Sequence, residues 1–232
     1  IGVIDITTVF PLLLFVYDAG KGAEKELAQI RMDLESFLVR RMICSLSTRG
    51  YGRFFLRVLS RAARTDGSLA AAVRSTLLGA EDGSIGWPDD ASFRRAWMEA
   101  PLGSFLRSDR LEMVLKAIER RHRSAKREPI DLTGKLTVEH ILPSQWEKKW
   151  PLPAELISDE IARLRRDTLV QTLGNLTVVT GKLNSAMGNS PWEAKKAALA
   201  EHTGLSLNAE ILKAPKWDEE EIVRRGEGLF SL

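Results

Sequence analysis

The sequence predicts a mostly helical α+β fold, and three observations lead to this fold class. The first half repeats apolar side chains at steps of three and four, as amphipathic helices do. Two short β-branched runs, "KLTVEHILP" and "NLTVVT", then indicate strands. Helix-like segments separate and follow these runs. We therefore expect a helical subdomain over residues 1–128 and a small α+β unit over residues 129–232.

The predicted helices of the first region follow one another closely. "EKELAQIRMDLESFLVRRMICSL" and "YGRFFLRVLSRAAR" each keep the helical period, and "DGSLAAAVRSTLLG" begins after a capping signal and ends at Gly79. "EDGSIGWPDD" is typical of a loop, after which Asp90 or Ser92 is the expected N-cap of "SFRRAWMEA". "RSDRLEMVLKAIERRHRSAKRE" is predicted to form a further helix with a basic tail.

The second region alternates strands, loops and helices. The first strand is expected to end at Pro143, before a loop in "KKWPLPAEL". "SDEIARLRRDTLVQTLG" predicts one helix or two pieces of one. "SPWEAKKAALAEH" predicts a helix opened by Ser190 with Pro191 at its first position. "KWDEEEIVRRGEGLF" predicts the last helix.

Composition and charge exclude several classes of protein. The 34 Lys and Arg residues exceed the 31 Asp and Glu residues by three, so net charge alone does not indicate a nucleic-acid partner. The single cysteine, Cys44, excludes an internal disulfide and a Cys-based zinc site; it fits a reducing cytoplasm and predicts a core thiol. "TTVFPLLLFVYD" is too short to cross a bilayer, so we expect a buried first helix and no membrane partner. The chain begins at Ile1 in the middle of a pattern, and we expect it to be a piece of a longer protein.

One of the three histidines, His140, follows Glu139 inside the first strand signal, and the second strand signal leads from Asn175 to Asn184. A neutral imidazole suits proton abstraction from water, and carboxylate and amide oxygens suit Mg²⁺ or Mn²⁺. Such a set fits phosphodiester hydrolysis. The same residues also fit a structural histidine, a turn after glycine and a helix end. From spacing alone the sequence predicts only an α+β domain with one candidate general base.

The longer string "VEHILPSQW…LGNLTVVTGKLNSAMGNSPWEAKK" resembles the HNH nuclease core, a branch of the His-Me finger (ββα-metal) endonucleases. In particular it resembles the C-terminal nuclease domain of GmrSD-type, modification-dependent restriction enzymes and of related phage-defence proteins such as SspE. Upstream, "LESFLVRRMICSLSTRGYGRFF" and "WPDDASFRRAW" resemble the helical segment before that core. The resemblance runs from about Asp33 to the last helix and implies a helical subdomain packed on a ββα-metal core.

The resemblance assigns roles residue by residue. His140 matches the general base, Glu139 and Asn184 match the metal ligands, and Asn175 matches the asparagine that braces the loop and helps to orient the histidine. Asn189 and Lys195 match recurrent polar positions, with Lys195 a candidate phosphate contact. Many HNH enzymes carry histidine where this chain has Asn184, which favours loosely held Mg²⁺ or Mn²⁺.

The implied function is one-metal hydrolysis of DNA, from a phage or a plasmid, that leaves 5′-phosphate and 3′-hydroxyl ends. One site per chain implies nicking, and a homo-oligomer or repeated events would be needed to break a duplex. The chain would be the effector domain of a bacterial anti-phage restriction protein. Its partner would be an N-terminal NTPase sensor domain, whose motifs this sequence lacks.

Basic residues flank the predicted site and are candidates for phosphate contacts. They are Lys148, Lys149, Arg163, Arg165, Arg166, Lys182, Lys195 and Lys196, and the uncharged Asn189 is a further candidate. A further basic run covers residues 120–126. Each run also fits an ordinary solvated helix face.

Other side chains leave two interpretations open. Trp146 and Trp150 fit either base stacking or burial. His122 and His202 are expected to be solvated, and Arg40 and Arg41 to be ion-paired structural residues.

Two rival functions belong to other classes. The chain could be a catalytically silent DNA-binding module, or a helical assembly or regulatory domain that keeps the fold. Nicking of a supercoiled plasmid would separate the enzyme from both, and DNA affinity at low salt would separate the two rivals.

Overall fold

The computed structural model describes residues 2–20, 23–79, 85–123, 132, 134–202 and 204–232. Two compact units make up the chain, Ile1–Phe93 and Arg94–Leu232. The predicted domain boundary, between residues 128 and 129, lies outside the described residues and stays a prediction. Part of the predicted loop "EDGSIGWPDD" and the end of the basic run at 120–126 also lie outside them.

The first unit consists of helices within its described residues. They are α1 (Phe10–Ala19), α2 (Glu24–Ile43), α3 (Tyr51–Ala63), α4 (Leu69–Leu78) and the first residues of α5 (Asp90–Glu99). The predicted capping signal of α4 is confirmed, because the Ser68 side chain accepts a hydrogen bond from Ala71 N and Gly79 ends the helix. The predicted cap of α5 is wrong: Asp89 Oδ1 accepts from Ser92 N at 2.7 Å, so Asp89 precedes the helix as its cap.

An aromatic cluster forms the centre of the first unit. Phe37 of α2 stacks on Phe54 of α3 with ring centroids 5.3 Å apart, and Phe55 packs edge-on against both Phe54 and Tyr51. These rings are the apolar positions that the helical period predicted in α2 and α3, so the pattern marked the buried faces correctly.

Two arginines of α2 have different partners. Arg40 forms the expected ion pair, 2.6 Å from Asp90. Arg41 is 1% exposed, and its partners among the described residues are Tyr51 Oη, Gly86 O and Ser47 O, which are hydroxyl and carbonyl oxygens and not the expected carboxylate. Cys44, predicted to be a core thiol, is only half-buried and lies 3.8 Å from Ser92 O.

The second unit is α+β, as predicted. Its helices are the remainder of α5, α6 (Leu102–Phe105), α7 (Ser108–His122), α8 (Glu160–Val170), α9 (Gly181–Met187), α10 (Trp192–His202), α11 (Ser206–Leu212) and α12 (Glu219–Phe230). Its strands are β1 (Leu136–His140) and β2 (Leu176–Thr180), which pair antiparallel. Helix α10 begins one residue later than predicted, at Trp192, and a 3₁₀ turn at Leu173–Asn175 precedes β2.

The sheet lies between helices and is buried along β2. Leu176, Val178 and Val179 are at most 2% exposed. Trp146 and Trp150 join the core beneath the sheet, with indole nitrogens that donate to Asp167 and to Ser190 O. Their burial confirms the structural interpretation over base stacking.

Helix α7 is tied to α11 by a buried carboxylate. Glu119, 0% exposed, accepts from Ser206 N at 2.9 Å and from Leu207 N at 2.7 Å. The carboxylate thus accepts from main-chain amides in the first turn of α11, and its negative charge interacts favourably with the dipole of that helix. Since α7 also packs against β1, this contact fixes one side of the sheet.

Candidate active site

His140 is the last residue of β1, opposite Leu176 of β2, and α9 follows β2 without a loop. Successive side chains of a strand point to opposite faces, so Glu139 and His140 diverge. Their partners confirm the divergence: Glu139 meets Lys195 of α10, while His140 meets Gln171 at the end of α8. Glu139 and His140, which are adjacent in the sequence, therefore lie on opposite faces at the end of β1.

The His140 imidazole is partly buried and hydrogen-bonded. Its Nε2 lies 3.0 Å from Gln171 Oε1, and Gln171 Nε2 lies 3.0 Å from Ser144 Oγ. Burial lowers the pKa of His140 below its ordinary value; the Gln171 hydrogen bond opposes this change, and the Lys195 charge adds to it. The ring is therefore neutral near pH 7, which is the form that can accept a proton.

Glu139 and Lys195 form a buried ion pair. Lys195 Nζ lies 2.6 Å from Glu139 Oε1 and also 2.6 Å from the main-chain oxygen of His140. Burial raises the pKa of Glu139 and lowers that of Lys195, while the attraction between the two charges opposes both changes. Lys195 thus holds the end of β1 from the side opposite the imidazole.

The burial of Lys195 corrects one prediction. Its side chain is 0% exposed, so it is an interior residue and not a phosphate contact on the surface. The sequence "EAKK" does not reveal this, because a lysine on a helix is usually solvated.

Asn184 joins α9 to β1. Its Nδ2 donates to Thr137 Oγ1 at 3.1 Å and to Val138 O at 3.0 Å. These bonds use the two amide protons and leave the carbonyl oxygen as the group that can coordinate a cation. Thr137 lies two residues before Glu139, so Asn184 approaches the face of β1 from which Glu139 projects.

A divalent metal at this strand end would need several hard oxygen ligands. Within the part of the chain that the structure describes, no group of three or more His, Cys, Asp or Glu side chains is arranged to hold a metal. Glu139 and Asn184 supply two such oxygens, which fits Mg²⁺ or Mn²⁺ in sites where water and substrate phosphates complete the shell. The Lys195 ammonium shares the Glu139 carboxylate, so a metal at this position would be weakly held.

Asn175 is fully buried and all of its bonding capacity is used. Its Oδ1 accepts from Leu142 N at 2.9 Å and from Trp217 Nε1 at 3.0 Å. Its Nδ2 donates to Leu142 O and to Val170 O, both at 2.8 Å. With two donors and two acceptors satisfied, this carboxamide braces the chain just after His140 and does not bind the ring itself.

The predicted DNA contacts, which are eight basic side chains and Asn189, fall into an exposed group and a buried group. The exposed ones are Lys148, Lys149, Arg163, Arg165, Lys182 and Asn189. Arg163 also stacks over Trp146, 5.3 Å from the ring centroid, and Asn189 donates to Gln145 Oε1. This exposed group remains the candidate DNA contact surface.

The prediction that Arg166 contacts a DNA phosphate also needs correction. Arg166 is 5% exposed, its Nε and Nη2 bond both carboxylate oxygens of Glu219, and its Nη1 donates to Trp150 O at 2.6 Å. A guanidinium used in this way is structural. Lys196 is half-buried and donates to Ala214 O at 2.6 Å, which ties α10 to the loop before α12.

The remaining histidines, His122 and His202, differ in their exposure to solvent. His202 is exposed, as expected. His122 is half-buried with Nε2 4.0 Å from Glu210, so the expectation that it is solvated is wrong. His122 ends α7 and His202 ends α10, whereas the side chain that contacts the His140 ring is Gln171.

Sequence reasoning missed Gln171, the side chain that contacts the imidazole. Gln171 lies four residues before Asn175, in a stretch predicted only as part of the helical segment "SDEIARLRRDTLVQTLG" and the turn that follows it. Its relation to His140 spans 31 positions, and no local pattern indicates it.

The chain is an α+β domain of the restriction-endonuclease class. Residues 87–232 match the family model described as GmrSD restriction endonucleases, C-terminal domain, and since this range covers more than half of the sequence, the chain belongs to that family. Comparisons with curated proteins and with solved structures gave no match. Family membership gives a nuclease role with DNA as the substrate, and the matched range contains all of Glu139, His140, Gln171, Asn175 and Asn184.

No helix in the described residues combines the length and the apolar character needed to cross a bilayer. The family match begins at residue 87, close to the boundary between the two compact units at Phe93 and Arg94.

Proposed function

We propose that this chain is a DNA endonuclease of the HNH (His-Me finger) type that depends on Mg²⁺ or Mn²⁺ and nicks one strand. The observation that carries the proposal is the partly buried His140 imidazole at the end of β1, hydrogen-bonded at Nε2 to Gln171, with the helix α9 directly after the paired strand. The antiparallel pair β1–β2 followed by α9, with α8 inserted between the two strands, supports the ββα-metal arrangement that the sequence resembles.

In the proposed mechanism, His140 takes a proton from the attacking water. The ring nitrogen available for this step is Nδ1, because Nε2 is engaged by Gln171. Asn175 and Lys195 hold the main chain on either side of the histidine through their bonds to Leu142 and His140 O. Glu139 and Asn184 reach the strand end from the face of β1 opposite the imidazole, and a metal that they held would stabilise charge on the phosphate oxygens and the departing 3′ oxygen. The proposal therefore requires the phosphate to lie across the end of β1, where it can meet both the base and the metal.

The proposed products are 5′-phosphate and 3′-hydroxyl ends. One general base per chain favours a single cut, so a double-strand break would need a second copy of the chain or a second event. The proposed setting is the cytoplasm of a bacterium, as the effector domain of a modification-dependent, anti-phage restriction protein with an N-terminal NTPase sensor.

The test is nicking of supercoiled plasmid with Mg²⁺ or Mn²⁺. His140→Ala should reduce the rate of open-circle formation by about 10²–10⁴-fold, the usual contribution of a general base. The matched control is His202→Ala, which removes an exposed histidine from α10 and should leave the rate unchanged. Asn184→Ala should reduce the rate and raise the metal concentration needed for half-maximal activity. Equal nicking by the wild type and His140→Ala would overturn the assignment of the base.

A second candidate function is a catalytically silent DNA-binding module. The buried Lys195–Glu139 pair favours it, because the carboxylate predicted to bind metal already has a cationic partner. In that case the protein would retard plasmid in a gel without converting it to open circle. Titration with Mn²⁺ would then give the same result for the wild type and for Asn184→Ala, with no binding at this site in either.

A further inference from the structure

We propose that Gln171 is the positioning residue of His140 and that it selects the ring tautomer with hydrogen on Nε2 and a bare Nδ1. The inference rests on the proposed role of His140 as the general base and adds the residue that prepares it. Neither the sequence motif nor family membership points to Gln171.

The hydrogen-bond chain sets the direction of the contact. Gln171 Nε2 donates to Ser144 Oγ at 3.0 Å, which turns the carboxamide oxygen toward the imidazole. That oxygen can only accept, so the bond of 3.0 Å to His140 Nε2 forms only when Nε2 carries the hydrogen. A neutral imidazole has one hydrogen, so Nδ1 is left as the acceptor.

Gly103 of α6 closes the other side of this contact. Its N donates to Gln171 O at 2.8 Å, which fixes the main chain at the end of α8. A Cβ added at Gly103 would lie 2.5 Å from Gln171 Oε1 and 3.1 Å from His140 Nε2. Only a residue without a side chain lets the amide remain against the ring.

Other polar residues near the strand end are engaged elsewhere. Asn175 has all four hydrogen bonds satisfied by Leu142, Val170 and Trp217. Glu139 projects from the opposite face of β1 and is paired with Lys195. Among the described residues, Gln171 therefore provides the side-chain hydrogen bond to the His140 ring.

The experiment combines a spectroscopic readout with single-turnover kinetics. Ring ¹⁵N shifts of His140 in histidine-labelled protein report the tautomer, with His140→Ala used for assignment. Wild type should show the Nε2–H form, and Gln171→Leu should move both shifts toward values averaged over two tautomers. The same variant should lower the nicking rate constant by about 10- to 100-fold, the range seen when a partner that orients a histidine is removed, with unchanged affinity for DNA.

Three further variants make the result specific. Gln171→Glu keeps an acceptor and should keep the Nε2–H form and most of the rate at mildly alkaline pH, where the ring is neutral. Gly103→Ala leaves the Gln171 side chain in the protein but should displace its amide from the ring. It should therefore change the ring shifts and the nicking rate as Gln171→Leu does. Gln29→Leu on α2 removes a glutamine from the other compact unit and should change nothing. A thermal melt of each variant confirms that it is folded.

Failure of the inference differs from failure of the proposed function. An Nδ1–H ring in the wild type, or wild-type shifts and rate in folded Gln171→Leu and Gly103→Ala, would overturn the positioning role. Wild-type protein that does not nick DNA would overturn the proposed function, while the tautomer measurement would still decide whether Gln171 sets the ring.

Discussion

At the scale of single residues, three polar side chains arrange the end of β1 in three different ways. Gln171 contacts the His140 ring, Asn175 holds the main chain after it, and Lys195 holds its carbonyl oxygen from the opposite face. Buried polar groups stabilise a fold only when their hydrogen bonds are made, and Asn175 meets that condition completely. The histidine is thus placed by neighbours that have little freedom to move.

The lowered pKa of His140 gives a prediction for the pH dependence of nicking. Protonation removes the base, so the rate constant should rise with pH and level off once the ring is neutral. Because burial lowers the pKa below the ordinary value of 6.5, the midpoint of the rise should lie below pH 6.5. Single-turnover nicking between about pH 5 and 8 at constant ionic strength and metal concentration measures it. A midpoint above pH 7 would contradict the burial of this imidazole.

At the scale of secondary-structure elements, α12 supports the turn that leads into β2. Arg225 is 5% exposed, and its Nη1 lies 2.8 Å from Gly174 O, 2.9 Å from Leu176 O and 3.3 Å from Leu173 O. Burial lowers the pKa of Arg225 to about 9, which leaves the guanidinium charged at pH 7. A Cβ at Gly174 would lie 2.1 Å from Ile222 O, so the glycine of "LGN" is required by the close approach of α12.

Removing this guanidinium should destabilise the second unit. Arg225→Met should lower the free energy of unfolding by about 2–4 kcal/mol, because the carbonyl oxygens of Gly174 and Leu176 lose their donor in the interior, while Leu173 O keeps the bond from Leu176 N. The matched control is Arg224→Met: its side chain is 59% exposed and paired with Glu221, so the change should stay below about 1 kcal/mol. Urea denaturation followed by circular dichroism compares the two. Similar losses for both variants would show that Arg225 is not the support of the turn.

At the scale of the whole molecule, the basic side chains have different roles, which the small net charge does not reveal. Of the basic residues predicted to touch DNA, Lys195 and Arg166 stabilise the interior, while Lys148, Lys149 and Lys182 are exposed. Phosphate binding releases counterions, so the exposed cations that contact DNA determine how steeply affinity falls with salt. Net charge cannot show which basic side chains contact DNA. Burial excludes some of the candidates and leaves the exposed ones.

This distribution predicts a selective change in salt dependence. Lys148→Ala/Lys149→Ala should weaken DNA binding and reduce the slope of log affinity against log salt by about 0.9 for each phosphate that the protein no longer neutralises. Lys213→Ala/Lys216→Ala removes the same charge from exposed lysines that are ion-paired with Glu210 and Asp218, and should change the slope little. Fluorescence anisotropy with a labelled duplex at several salt concentrations gives both slopes. Equal slopes for the two double variants would exclude the segment after β1 from the DNA-binding surface.

Much of the fold could be predicted from the sequence because its signals are local. Apolar periodicity marked α2 and α3, Ser68 and Gly79 marked the ends of α4, and the β-branched runs marked β1 and β2. The cap of α5 is Asp89 and neither of the predicted residues, Asp90 and Ser92, since the local sequence offers several capping side chains and only geometry decides which of them reaches an amide of the first turn.

The sequence by itself determined the fold class and the presence of His140 at a strand end, because both depend on neighbouring residues. The tertiary structure alone decided which side chains meet there. Gln171, Lys195 and Arg225 contact segments 31 to 56 positions away. Whether a lysine or an arginine is solvated or buried depends on the surface that packs over it, and that surface comes from distant parts of the chain.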